Sequence, residues 1–505
     1  MRASGPMSPV LVLACALAAS VPPAHSDPAG AERPIHDTLA LSAFQEAGMI
    51  RSGVVGGGVL EPLRPEWIDH FGASVTRTLT WDSRFRVTGG LGGIFQFRKP
   101  EVVNGGFSGS QRKAFFVGPS ISEAAYAFGD PERPPVTLAI GLFPYKYNPE
   151  ASNLGEYLFR STPYPGVVMT GGYALANSAA AYLQGARASF RMGGFSADLL
   201  LLTETGLAPL YDGSLAAVAA YRSPQGVFDV GAGVDCKRLL PVYPERTSRE
   251  NKANAWFTSG GVDRSANYSF YANAGTYWRG RLAGATGADS ARFAAMAHEQ
   301  DSLAALVEGL DKLSPAERPQ LHYYSAAGTL LMARATFDPK PLLPELGMSP
   351  SDFKIFAEVA LLGVENRPVF YTDRMRRVPI MAGINIPAFG WLDLFSVQAE
   401  WYDSPWLNNT WPLGSDGNNV PFVPDASDRL TSSHSYYDLA DKDNFKYSLL
   451  LRKRLGAGTT LSLQAASDHL RIPDATSYYG PQLNPNEVTV RKSDWYWVAQ
   501  LGWGI

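Results

Sequence analysis

The chain has 505 residues, 45% hydrophobic and 12% aromatic, with 49 glycines, a formal net charge of −3 and a mean hydropathy of −0.11. That charge gives a nucleic-acid partner no electrostatic support, and no run of eighteen apolar residues follows the N-terminal leader, which excludes a membrane-spanning helix. The length allows several globular domains or one large closed sheet with long loops, and the abundance of glycine and aromatics favours the sheet.

Residues 1–26 read as a secretory signal peptide: Arg2, an apolar core from Val10 to Ala19, then Ala24-His25-Ser26 as a small-residue cleavage pattern. Val12-Leu13-Ala14-Cys15 resembles a lipoprotein signal, but the apolar run before Cys15 is too short. Removing the leader leaves Cys236 as the single cysteine, so stability has to come from sheet closure rather than a disulfide framework. Residues 27–46 are polar without a strong period and are expected to form a flexible periplasmic lead-in to a barrel occupying 47–505.

From there the pattern has period two. Met49 to Leu60 is a weak, glycine-rich strand candidate. Phe71, Ala73, Val75, Leu79 and Trp81 share one face against Ser74, Thr76 and Thr78, with Arg77 breaking the apolar side. After the Asp82-Ser83-Arg84 turn, Phe85, Val87, Leu91, Phe95 and Phe97 oppose Arg86, Thr88 and Gln96. The same alternation recurs at 124–128, 136–142, 186–191, 195–201, 215–222, 228–237, 331–337, 353–361, 378–386, 395–402, 445–455 and 461–468. The final stretch is the clearest: Trp495, Trp497, Ala499, Leu501, Trp503 and Ile505 on one side, Tyr496, Val498, Gln500, Gly502 and Gly504 on the other. Three tryptophans near the ends of one apolar face suit a strand whose outer side meets hydrocarbon and headgroups. The expectation is an all-β transmembrane antiparallel barrel of roughly sixteen strands, within fourteen to eighteen. The competing architecture is a set of β-sandwiches, which must find a second layer for every apolar face; a barrel needs none.

With the C-terminus periplasmic, the tight turns at Gly456-Ala457-Gly458, Phe389-Gly390-Trp391, Ser223-Pro224-Gln225 and Gly193-Gly194 fall on one side. The long connections 98–118, 147–180, 239–322, 404–443 and 473–493 fall on the other, the extracellular side, with 338–351 as one longer periplasmic turn. Within 239–322, Leu303, Leu306, Val307, Leu310 and Leu313 recur at helical spacing after Asp289, predicting a helix that caps or plugs the pore or simply packs on neighbouring loops. Segment 264–278 is expected to extend the sheet above the membrane.

The runs Gly141-Leu142-Phe143-Pro144-Tyr145-Lys146-Tyr147-Asn148-Pro149, Asn153-Leu154-Gly155-Glu156-Tyr157-Leu158-Phe159-Arg160 and Ile384-Asn385-Ile386-Pro387 resemble those of uncharacterised porin-like outer-membrane β-barrel proteins of Gram-negative bacteria. The resemblance covers about residue 70 to the end and implies architecture and location, with no substrate or assigned site. The chain departs from it by ending in Trp503-Gly504-Ile505 rather than in an aromatic residue.

Connection 147–180 is the candidate constriction, with Lys146, Glu156 and Arg160 as its charged groups; Glu156 and Arg160 are one helical turn apart if it coils, a spacing that equally suits a surface ion pair. The candidate lumen wall comprises Arg187, Arg191, Arg334, Lys354, Glu358, Glu400, Arg452, Arg454 and Asp468, in which Arg187 with Arg191 and Arg452 with Arg454 form basic ladders, or else pair with facing acids. Inward acids and bases are too balanced to choose between anion and cation preference. No catalytic motif of the G-x-S-x-G, H-E-x-x-H or P-loop type is present. His434 near Ser432, Ser433 and Asp438, and His469 beside Asp468, give an outer-membrane hydrolase only a remote basis, and Asp416, Asp441 and Asp443 lack calcium-loop spacing. The expectation is a channel for passive diffusion of small polar solutes in outer-membrane lipid, with no cofactor, metal or nucleic acid and an open oligomeric state; the alternative is a plugged barrel that binds through its outer loops.

Overall fold

The computed structural model describes residues 35–55, 59–103, 106–159, 181–203, 213–240, 272–273, 275–311, 328–343, 348–364, 374–402, 444–467, 473–474, 482–483 and 494–504. The strands are β1 (Ile35–Val55), β2 (Val59–Trp81), β3 (Phe85–Val103), β4 (Gly106–Phe128), β5 (Val136–Tyr145), β6 (Ala181–Met192), β7 (Phe195–Thr203), β8 (Gly213–Arg222), β9 (Phe228–Leu240), β10 (Gly328–Phe337), β11 (Lys354–Leu361), β12 (Ile380–Asn385), β13 (Leu394–Trp401), β14 (Phe445–Gly456), β15 (Thr459–Ala466), the two-residue β16 (Pro473–Asp474) and β17 (Gln482–Leu483), and β18 (Trp495–Gly504). All but β16 and β17 form one closed barrel of sixteen strands, each paired antiparallel with its neighbours in sequence order. Closure is made by β1 against β18, from Ser42 opposite Gly504 to Arg51 opposite Trp495. Closing the sheet leaves no open edge of unpaired backbone groups.

Alternation fixes which side each residue takes. On β10, Leu331, Ala333 and Ala335 are exposed on the outer wall while Leu330, Met332, Arg334 and Thr336 are buried inside. Large apolar side chains stay exposed along the outer faces of other strands, among them Leu91, Ile140, Leu199, Ile355 and Leu449. At the short-turn end, aromatics meet as Trp81–Phe85 at 5.4 Å, Tyr126–Phe128 at 4.8 Å and Phe228–Phe337 at 5.2 Å. Toward the other end they meet as Trp67–Trp497 at 6.1 Å and Phe95–Phe115 at 6.2 Å. An apolar wall between two aromatic tiers is the surface a barrel offers to a bilayer.

Three sequence expectations shift. Residues 35–46, read as a lead-in, belong to β1. Their outward face carries Asp37, which masks the alternation, but Asp37 lies 2.7 Å from Arg77 on β2, so the two polar interruptions of the outer wall pair with each other. Connection 98–118 is no long loop: β3 runs to Val103 and β4 starts at Gly106. Residues 275–282 are helical rather than an extension of the sheet, because Trp278 folds back to stack on Phe293 at 5.4 Å. Phe293 belongs to helix α1 (Ala288–Asp311), which begins close to the expected Asp289. The described core of that region, Trp278, Phe293 and Ala297, packs with Tyr277, Leu282, Ala285 and Met296, so Phe293, Met296 and Ala297 of α1 rest on the helical stretch 275–282 and Ala285.

Candidate pore constriction

The connection after β5 turns inward. Asn148 starts the turn, its side-chain oxygen accepting the Glu150 N–H at 3.2 Å and its carbonyl accepting the Ala151 N–H at 3.2 Å. Gly155 at φ 87° and Glu156 at φ 60° then place two successive residues in the left-handed region, which reverses the chain. Every residue from 151 to 159 is buried. Since β13 lies diametrically opposite β5 in the ring, hydrogen bonds from this segment to β13 cross the bore.

Two kinds of contact hold the segment. Its apolar side, with Tyr147, Leu154, Tyr157, Leu158 and Phe159, joins one cluster with inward residues of β6 to β12, including Leu183, Leu200, Val218, Met332 and Phe356. Burying one such large side chain contributes about 1.5–3 kcal/mol relative to exposure. Its polar side meets acceptors on β11 and β13. Glu358 of β11 accepts from Tyr147 Oη at 2.7 Å, Asn148 Nδ2 at 2.7 Å, Glu156 N at 3.1 Å and Tyr157 N at 3.0 Å. The consecutive N–H groups of Glu156 and Tyr157 wrap a carboxylate as backbone nests wrap anions. Gln398 accepts from Asn153 N and Leu154 N at 3.2 and 3.1 Å, and Glu400 accepts from Tyr157 Oη at 2.7 Å.

The predicted charges distribute unevenly around this crossing. Lys146 donates to the Ala151 carbonyl within the segment. Glu156 lies in the bore, where burial first and the Glu358 carboxylate second push its carboxyl up to about 8. Its carboxylate accepts the Asn148 N–H. Lys354 pairs with Glu150 at 2.6 Å, and Glu400 lies 3.5 Å from Lys446. Arg187 pairs with Glu123 at 3.2 Å and covers the Phe143 ring at 4.7 Å, so it is held on the wall near β5. Arg191 is exposed at the end of β6, leaving no basic ladder with Arg187. Arg334 pairs with Asp229 at 2.8 Å, and Arg454 with Asp393 at 3.3 Å. Arg160 and Asp468 lie outside the described residues, as do His434, His469 and the loop aspartates.

Sequence reasoning put Asn153 to Arg160 in the constriction and Gln398 and Asn385 on inward faces, but assigned no contact to Tyr147, Asn148, Glu150, Asn153, Tyr157, Gln398 or Asn385. The available signal was parity: Gln398 shares its face with Glu400, and Asn385 opposes the outward Ile384. Asn385 Nδ2 donates to Glu150 at 3.0 Å. Between the segment and the β14–β15–β18 wall a cavity of about 960 Å³ reaches the short-turn end, lined by Lys146, Glu150, Arg452, Ser462, Gln464 and Gln500 among others.

No family model matches the chain, and no curated protein does. Among solved structures it is similar to engineered porins of Rhodopseudomonas blastica: one at 8% identity with a TM-score of 0.37, covering 93% of this chain and 100% of that one. A second aligns over the same shares at 9% identity and a TM-score of 0.37, and a third at 8% and 0.36.

Proposed function

We propose that the chain is a porin-like outer-membrane channel of a Gram-negative bacterium, through which small polar solutes pass by diffusion. The observation that carries this reading is segment 146–159, folded into the bore and tied to the far wall by Glu358, Gln398 and Glu400. It fills the β5–β12 side with apolar packing and leaves the cavity on the β14–β15–β18 side, where Ser462, Gln464 and Gln500 offer hydroxyl and amide groups to a hydrated solute. The cavity is therefore eccentric, and above it the segment meets β18, where Tyr496 Oη lies 3.5 Å from Asn153 Oδ1. Two features support the membrane setting: the exposed apolar belt and the full pairing of sheet edges. The channel needs no moving part, because the segment is held by hydrogen bonds at both its Tyr147–Asn148 and its Glu156–Tyr157 ends.

Purified, folded barrel added to planar lipid bilayers tests this. Stepwise increases in current, proportional to salt concentration, are expected. Folded protein that inserts and carries no current above the bare bilayer would overturn the channel reading.

A further inference from the structure

The cavity below segment 146–159 is lined by more cations, Lys146, Lys354, Arg452 and Arg454, than carboxylates. Its acidic lining residues are Glu46, Glu150 and Asp393. Both oxygens of Glu150 are engaged, by Lys354 at 2.6 Å and Asn385 at 3.0 Å. Asp393 is taken by Arg454, through its backbone N–H and its guanidinium. Glu46 accepts from Gln500 at 3.0 Å and lies 3.7 Å from His70. Two cations then remain on the same cavity. Lys146 has three donors and places one on the Ala151 carbonyl. Arg452 has five donors, and none of its guanidinium N–H groups makes a hydrogen bond among the described residues, although the Asp393 carboxylate acts on its charge from a distance. Lys146 feels the carboxylates of Glu156 and Glu150, and the like charge of Arg452 acts against them.

Resting on the channel reading, we infer that Lys146 and Arg452 form a binding step for anionic solutes, compact organic acids or phosphate compounds, on the floor of the segment. The chemistry fits in three ways. Unused N–H donors face a cavity whose carboxylates Glu150 and Asp393 are hydrogen-bonded to other groups, and a bound oxyanion supplies acceptors to them. A guanidinium presents a planar fork that carboxylate and phosphate match with two parallel hydrogen bonds, while an ammonium serves as a point charge beside it. A cavity of about 960 Å³ is of the size that holds a small organic ligand. Charge inside a narrow, partly desolvated bore also acts more strongly than on an open surface. The step thus draws anions into the path and sets the preference that inward residues counted from sequence leave balanced.

Reversal potentials in a potassium chloride gradient, with and without inorganic pyrophosphate, read this directly. Wild-type protein should favour chloride, and pyrophosphate should reduce its current. Lys146→Gln with Arg452→Gln should lower the chloride-to-potassium permeability ratio by about two-fold or more and relieve the block. Arg133→Gln, in the turn between β4 and β5, should leave both unchanged. A cation-preferring wild type, or a double variant with normal current and unaltered selectivity, would overturn the inference while leaving the channel reading in place. Calorimetric titration of detergent-folded barrel with pyrophosphate keeps the test decisive without conductance: binding by wild type and none by the double variant is expected. No binding by wild type overturns the site whatever the channel does. Unboiled gel mobility reports that each variant remains folded.

Discussion

Across the bore from β5, the carboxylate of Glu358 accepts the backbone N–H of Tyr157 at 3.0 Å, and the same carboxylate takes three further hydrogen bonds from Tyr147, Asn148 and Glu156. A single wall residue therefore fixes two separate turns of the crossing segment. Glu358→Ala removes all four acceptor contacts at once. A buried donor left unsatisfied costs about 1–3 kcal/mol, so the docked segment should be lost well before the barrel, whose strand ladder is untouched. The expected result is a larger single-channel conductance, with protease cleavage appearing within 146–159 and normal unboiled gel mobility. Unchanged conductance would mean that the apolar cluster and the Gln398 and Glu400 contacts hold the segment without Glu358.

The second prediction is a pH dependence of the same contact. Glu156 is raised above the ordinary carboxylate value of 4.5 to about 8 by burial and by Glu358, with Lys146 pulling the other way. A raised carboxyl binds its proton more tightly in the docked state than in the released state. Docking is thus strongest below pH 4.5 and weakens as pH climbs through the window up to about 8. Amide exchange at Tyr157 should accelerate across that window. Glu156→Gln, neutral at every pH, should flatten the profile at the protected level. A profile that keeps its slope in this variant would assign the effect to another group.

Part of this arrangement was legible from residue types alone. Parity along β11 and β13 placed Glu358 and Glu400 inside, since each alternates with apolar residues such as Val359 and Trp401. Parity gives a side, however, and neither a height nor a partner. The contacts of Glu358 depend on where a connection of irregular backbone comes to rest, and that is set by Gly155 and Glu156 at positive φ and by tyrosines that pack as well as donate. The start of β1 was hidden for a related reason. Asp37 and Gln45 face outward and break its apolar pattern, yet Asp37 meets Arg77 and Gln45 donates to Asp69, both on β2. Each polar residue finds its match across strands, a relation absent from any single window of sequence.

The outer wall gives a third prediction. Leu449 is 39% exposed on the outer wall, opposite Val397 and Ala465, and Ile384 lies opposite Val397 and Ile355. If these faces meet hydrocarbon, Leu449→Arg or Ile384→Arg should each cost about 2–4 kcal/mol near the midplane. Urea refolding into lipid vesicles measures this. In detergent micelles, which yield around a charged side chain, the loss should be smaller. Neutral behaviour of both substitutions in vesicles would place these residues away from lipid.

Gly155 supplies the last prediction, because it separates the position of the segment from the chemistry of its anchor. Its φ of 87° lies in the left-handed region, and a Cβ there would come within 2.7 Å of Met381 Cε and 3.1 Å of Glu358 Oε2. Gly155→Ala therefore meets two penalties: roughly 1–2 kcal/mol for an L-residue in that backbone region, and displacement of the side chains the segment rests on. The Glu358 side chain itself is retained, unlike in Glu358→Ala. The segment should lift from β11 and the conductance should rise, as in Glu358→Ala, but with the wall carboxylate retained. Gly89→Ala is the matched control, since a Cβ on Gly89 meets nothing within 4 Å. Wild-type conductance in both variants would show that the turn at 155–156 tolerates the methyl group by shifting locally, and that the segment does not depend on close approach to the wall.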